Sequence, residues 1–134
     1  MKKGVVISGA LLILFAIILG AFGAHALKEV LSESSLSSFE TGVRYQMYSG
    51  ITILILGLNY HKFRKKNFKI FYWFMLIGAL LFSISIYSLV AADYYMLFSF
   101  RKILGPITPL GGTLMITGWI IFIFQFINSD QDAE

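Results

Sequence analysis

Residues 4–24 read GVVISGALLILFAIILGAFGA, an uncharged run that follows Lys2 and Lys3. At about 1.5 Å of rise per residue, a helix of this length covers roughly 30 Å, the thickness of a bilayer's hydrocarbon core. The stretch therefore reads as a membrane crossing. A basic start, an apolar run and the triplet Ala24-His25-Ala26 also imitate a signal peptide with its cleavage site. Three more long apolar blocks follow, which favours a retained span.

Beyond the first block the chain turns polar and serine-rich from His25 to Phe39. Ser37-Ser38-Phe39-Glu40 has the S-x-x-E form of a capping box and predicts a helix that starts there and runs to Tyr60, with its membrane part at about 43–60. Lys62, Arg64, Lys65, Lys66 and Lys69 make 61–69 a short basic loop. The third block, 70–92, opens with the interfacial aromatics Phe71-Tyr72-Trp73-Phe74. From Asp93 to Gly105, charges mixed with Tyr94, Tyr95, Phe98 and Phe100 suggest a connection lying along the opposite interface. Pro106 and Pro109 keep that connection from forming one continuous helix with the fourth span, 107–127, before the acidic tail Asp130, Asp132 and Glu134.

The expected fold is an all-α integral membrane protein, a four-transmembrane-helix bundle in one membrane domain. With four spans, Lys2, Lys3 and the five cations of the 61–69 loop share a side, against Lys28, Arg44, Arg101 and Lys102 on the other. The positive-inside rule then makes both termini and the basic loop cytoplasmic. Small residues recur every seven positions: Gly9, Ala16 and Gly23, then Gly50 and Gly57, then Gly78, Ser85 and Ala92, then Gly111 and Gly118. Such stripes let helix backbones approach in lipid, and their period suits a left-handed bundle without an aqueous pore.

Composition excludes several function classes. The chain is 57% hydrophobic and only 13% charged, with a mean hydropathy of +0.78, far from the balance of a soluble domain. Without cysteine it has no disulfide, thiolate metal site or thiol nucleophile. The pI near 9.4 comes mainly from cations flanking apolar blocks, which argues for topology and against a nucleic-acid partner. His25 and His61 fall on opposite sides of the membrane, so no metal site and no cofactor are expected.

Under this topology the polar residues in or beside the spans converge on the outer leaflet: His25, Arg44, Gln46, Tyr48, Ser83, Ser85, Tyr87 and Thr108. Arg44 and Tyr48 lie four apart on one helix face, while Gln46 looks elsewhere. The guanidinium of Arg44 suits a lipid phosphate or other anion, although pairing with Glu40 or snorkelling to the headgroups are equally open to it. His25 is either a proton carrier or a hydrogen-bonding residue that fixes a helix end. No base is placed near Ser83 or Ser85, so no catalytic residue is expected. Trp119, near mid-span, needs a partner for its indole N–H, and a third-helix hydroxyl is a candidate.

The segments GAFGAHAL at 20–27, FETGVRYQMY at 39–48, LFSISIY at 81–87 and ITPLGG at 107–112, the last followed by Gly118-Trp119, resemble the motifs of a known family. It is the family catalogued as domain of unknown function 423, related to the transmembrane protein 256 group. The resemblance implies a small four-span protein of the bacterial plasma (inner) membrane, without an established reaction and with a role in envelope integrity for some members. This chain has Ser49 where the family has histidine and Ile84 where it has glycine, and its 93–105 connection is longer and more aromatic. The expected function is non-enzymatic support of the membrane or envelope, with the outer polar cluster binding membrane lipid, a membrane-protein partner or a second copy. The alternative is a small oligomeric transporter or channel subunit.

Overall fold

A computed structural model of the chain describes residues 1–62 and 65–129, and their side chains except at 65, 66, 98, 126, 128 and 129. The acidic tail and Arg64 of the basic segment lie outside the described residues. Four long helices carry the fold: α1 (Lys3–Ala24), α2 (Glu33–Leu58), α3 (Lys65–Tyr94) and α5 (Ile107–Ser129), with the short α4 (Arg101–Leu104) between the last two. No strand occurs among the described residues. α1, α3 and the α4–α5 segment contain stretches long and apolar enough to cross a membrane. α2 is long enough, with 26 residues, but Glu33, Glu40 and Arg44, with the serines between them, make its first half more polar, and it is not one of those three.

The helix starts correct two sequence expectations. α2 does not begin at the Ser37–Glu40 box: Ser32 is its cap, extended at ψ 155 and accepting the Ser35 N–H on its hydroxyl at 3.2 Å. Ser32 meets the capping requirement first and is followed by residues that a helix tolerates, so the later box lies inside the helix. Likewise α3 begins at Lys65, inside the expected 61–69 loop. Lysine loses little side-chain freedom in a helix, so a basic run is no barrier to extending one. At the far end of α3 the chain reverses through a Schellman motif. The Leu97 N–H reaches Ala92 O at 2.7 Å and the Met96 N–H reaches Asp93 O at 3.2 Å. Met96, not glycine, holds the left-handed position there, at φ 58. Pro106 directly precedes α5 and Pro109 sits in its first turn, where a missing N–H breaks no intrahelical bond.

The small-residue stripes are the contact lines. α1 packs antiparallel on α2, so close that a Cβ added to Gly9 would lie 2.6 Å from Leu54 N and 2.8 Å from Gly50 O. α3 packs antiparallel on α5 in the same way: a Cβ added to Gly78 would lie 3.0 Å from Met115 N and 2.9 Å from Gly111 O. The two hairpins match under constant offsets. Adding 69 carries Gly9, Ala16 and Gly23 of α1 onto Gly78, Ser85 and Ala92 of α3, and adding 61 carries Gly50, Leu54 and Gly57 of α2 onto Gly111, Met115 and Gly118 of α5. The contacts follow the same offsets, since Gly57 faces Val5 and Val6 while Gly118 faces Phe74 and Met75. The fold is one helical hairpin built twice.

The hairpins meet mainly along α2 and α3, around a core of Val5, Leu12, Ile53, Leu56, Phe68, Phe71, Met75, Ala79 and Met115. Lys2 lies over the rings of Tyr60 and Phe68 at one end, and Phe39, Ile86 and Val90 cluster at the other. Outward faces are strongly apolar: Ile7, Leu14, Phe15 and Ile17 on α1 and Ile116, Ile120, Ile123 and Phe124 on α5 are all exposed. Faces of this kind suit lipid, not water.

Candidate functional site

The eight residues singled out in the sequence do not form one site. Gln46 turns inward, 6% exposed, and donates from Nε2 to Leu12 O at 3.0 Å while its Oε1 accepts the Tyr87 hydroxyl at 2.9 Å. One turn earlier, the Ser83 hydroxyl donates to Gly42 O at 2.9 Å. Gly42 is required here, because a Cβ would stand 2.7 Å from the Tyr87 ring. These bonds tie α1, α2 and α3 together where the hairpins meet. Ser85 lies 2.7 Å from the Thr108 hydroxyl and also bonds to Phe82 O, joining α3 to the first turn of α5. No buried side-chain nitrogen or oxygen among the described residues lacks a partner. A polar group buried in an apolar medium is costly unless bonded, so these residues act first as a clasp between helices.

Arg44, Tyr48 and His25 stand apart from the clasp. Arg44 is exposed and donates to the Thr41 hydroxyl at 3.0 Å. Of the roles open to Arg44, anion binding, pairing with Glu40 and snorkelling, none is selected by this bond to its own helix. Tyr48 is exposed against Tyr45. His25 is the exposed C-cap of α1. Trp119 is corrected as well: it is partly exposed and stacks edge-on against Phe71 and Phe122, while Ser83 and Ser85 bond elsewhere.

What the sequence reading missed is a groove of about 560 Å³ at the same end of the molecule. One wall is the first turns of α2, with Ser34, Ser35, Ser38 and Thr41. The floor is apolar, from Ile86, Leu89 and Val90 of α3, and the far wall holds Gly105 and Thr108. Asp93 and Arg101 line it too and form an ion pair with each other. Ser34, Ser38 and Thr41 lie at i, i+4 and i+7, one helix face. That spacing was legible, but starting α2 at Ser37 hid it. Asp93 and Arg101 are eight apart across the Met96 reversal, and no sequence signal brings them together. Of the eight predicted residues only Thr108 lines the groove, while Arg44 reaches it through Thr41. The arrangement has the character of an amphiphile site: hydroxyls and paired charges above an aliphatic floor.

Comparison with known proteins agrees with the apolar architecture. A family model described as a protein of unknown function, DUF423, matches residues 19–112. A membrane protein of the UPF0382 group from Staphylococcus haemolyticus (strain JCSC1435) is 37% identical over 126 residues, covering 92% of this chain and 97% of its own. Another, from Staphylococcus aureus (strain bovine RF122 / ET3-1), is 40% identical over 118 residues, with 88% and 90% covered. One from Haemophilus influenzae is 38% identical over 118 residues, covering 86% of each chain. No solved structure matches. With the family model covering 19–112 and relatives 37–40% identical over most of both chains, the chain belongs to the DUF423 family, whose bacterial relatives are named UPF0382 membrane proteins.

Proposed function

We propose that the protein crosses the bacterial plasma (inner) membrane four times with both termini cytoplasmic, and holds a lipid in the groove without acting on it chemically. The observation that carries this reading is the groove itself, with hydroxyls and the Asp93–Arg101 pair above an aliphatic floor. In the proposed topology the groove, at the end opposite Lys2, belongs to the outer leaflet, and the positive-inside rule supports that orientation. A non-enzymatic role is supported by the state of the most deeply buried serine hydroxyls: Ser49, Ser83 and Ser85 are engaged in helix-to-helix bonds, to Met115, Gly42 and Thr108. Holding a lipid between two hairpins would couple the protein's packing to the composition of the membrane, a means of supporting envelope integrity.

The test is native mass spectrometry of the full chain released from gentle detergent, comparing wild type with Ser38→Phe, which places a ring in the groove, and with Arg44→Ala. Retention of a defined lipid by wild type and its loss from Ser38→Phe is the expected result. Equal retention by all three would end the groove reading. A transporter subunit is the second reading, since repeated helical units with polar groups at their junction are a transporter design. Substrate-dependent flux into liposomes would move it ahead.

A further inference from the structure

The groove lies where the repeat breaks. Under the offset of 61, Glu33–Tyr45 of α2 corresponds to 94–106 in the second hairpin. In the first hairpin this stretch is continuous helix; in the second it is the Met96 reversal, a 3-10 turn at Phe98–Phe100 and α4. The first turns of α2 consequently stand beside α3 without a helix in the position the repeat would supply, and the groove occupies that place. The clasp residues also depart from the repeat: Gln46 corresponds to Ile107, Ser83 to Leu14 and Tyr87 to Ile18. Polarity and asymmetry are therefore concentrated together, while the packing stripes are shared by both hairpins.

The charges at this break are of both signs and adjacent. Arg101 donates from Nε to Asp93 Oδ1, and both residues line the groove with the α2 hydroxyls opposite. A purely anionic headgroup placed against Arg101 would face the Asp93 carboxylate at similar range, and like charges at short range count against binding. A headgroup that carries its own ammonium a few bonds from its phosphate meets no such conflict. Its phosphate faces Arg101 and the hydroxyls, its ammonium faces Asp93, and its glycerol and first methylenes cover Ile86, Leu89 and Val90. Resting on the proposed groove function, we infer that its ligand is a phospholipid with an ammonium in the headgroup, recognised by Asp93 and Arg101 together.

The experiment uses full-length protein in micelles doped with phosphatidylethanolamine or phosphatidylglycerol, with bound lipid counted by native mass spectrometry for wild type, Asp93→Asn and Ser38→Phe. Wild type is expected to prefer phosphatidylethanolamine by about fivefold, on the scale of one partly exposed charge pair. Asp93→Asn should lose that preference and keep phospholipid binding, with its thermal midpoint near that of wild type. Equal binding of the two lipids by wild type overturns the ammonium assignment and leaves the groove standing. A preference that persists in Asp93→Asn also overturns it. Lipid binding unaffected by Ser38→Phe places the lipid elsewhere and removes the groove reading beneath it.

Discussion

Replacing Gly111 by alanine tests the close packing of the second hairpin most directly. The added Cβ would lie 2.5 Å from Phe82 N and 2.7 Å from Gly78 O, both backbone atoms that no rotamer change can move. Ordinary contact begins near 3.5 Å, so α3 and α5 would have to separate by about an ångström along their closest line. Overpacking of this kind costs roughly 1–3 kcal/mol, offset by the better helix propensity of alanine, about 1 kcal/mol. Gly112, one residue on, is the internal control. Its added Cβ would meet only the Phe82 ring at 3.7 Å, an ordinary contact, so Gly112→Ala keeps the propensity gain without the clash. The two neighbouring variants should therefore differ by about 2 kcal/mol, with Gly111→Ala the less stable. Thermal or SDS unfolding in micelles, followed by the fluorescence of Trp73 and Trp119, reads this difference. If Gly111→Ala unfolds together with Gly112→Ala, the helices are not in backbone contact at this line and the argument fails.

Other consequences follow from particular bonds. Tyr87→Phe should destabilise by about 1 kcal/mol by stranding the Gln46 amide oxygen, and adding Gln46→Leu should recover part of that loss in a double-mutant cycle; strict additivity would show that the two side chains are not coupled. Met96→Gly should stabilise by about 1 kcal/mol, since it relieves a left-handed backbone in a non-glycine residue; a lower unfolding midpoint would contradict the Schellman geometry. Because the chain has no cysteine, single cysteines at Ser35 and Asn67 can report topology. An impermeant thiol reagent should reach them from opposite sides of the membrane, and labelling of both from outside would exclude four spans.

Much of the fold was legible in the sequence because its causes are local or periodic. The block at 4–24 is the length of a bilayer, and α1 forms over nearly those residues. Seven-residue stripes of glycine, alanine and serine mark one face of each long helix, and those faces are where backbones meet. Helix starts were less legible, since Ser32 and Ser37 each have a usable capping environment and only the rest of the structure selects Ser32. The polar residues could be picked out one by one in the sequence, yet their grouping depended on angles and on chain reversals. Arg44 and Gln46 differ by two residues, or about 200° around a helix, so one faces outward and the other donates to the α1 backbone.

Apolar length and small-residue period by themselves determined that this is an all-α chain built for a membrane and packed through close helix pairs. Tertiary structure alone decided that Gln46 and Tyr87 clasp the hairpins, and that Asp93 and Arg101 share a groove with Ser34, Ser38 and Thr41. The physical reason is that hydrophobic burial and helix periodicity act along the chain, whereas a site of this kind is assembled by the reversal at Met96 and by the break in the hairpin repeat, which bring together residues with no regular spacing between them.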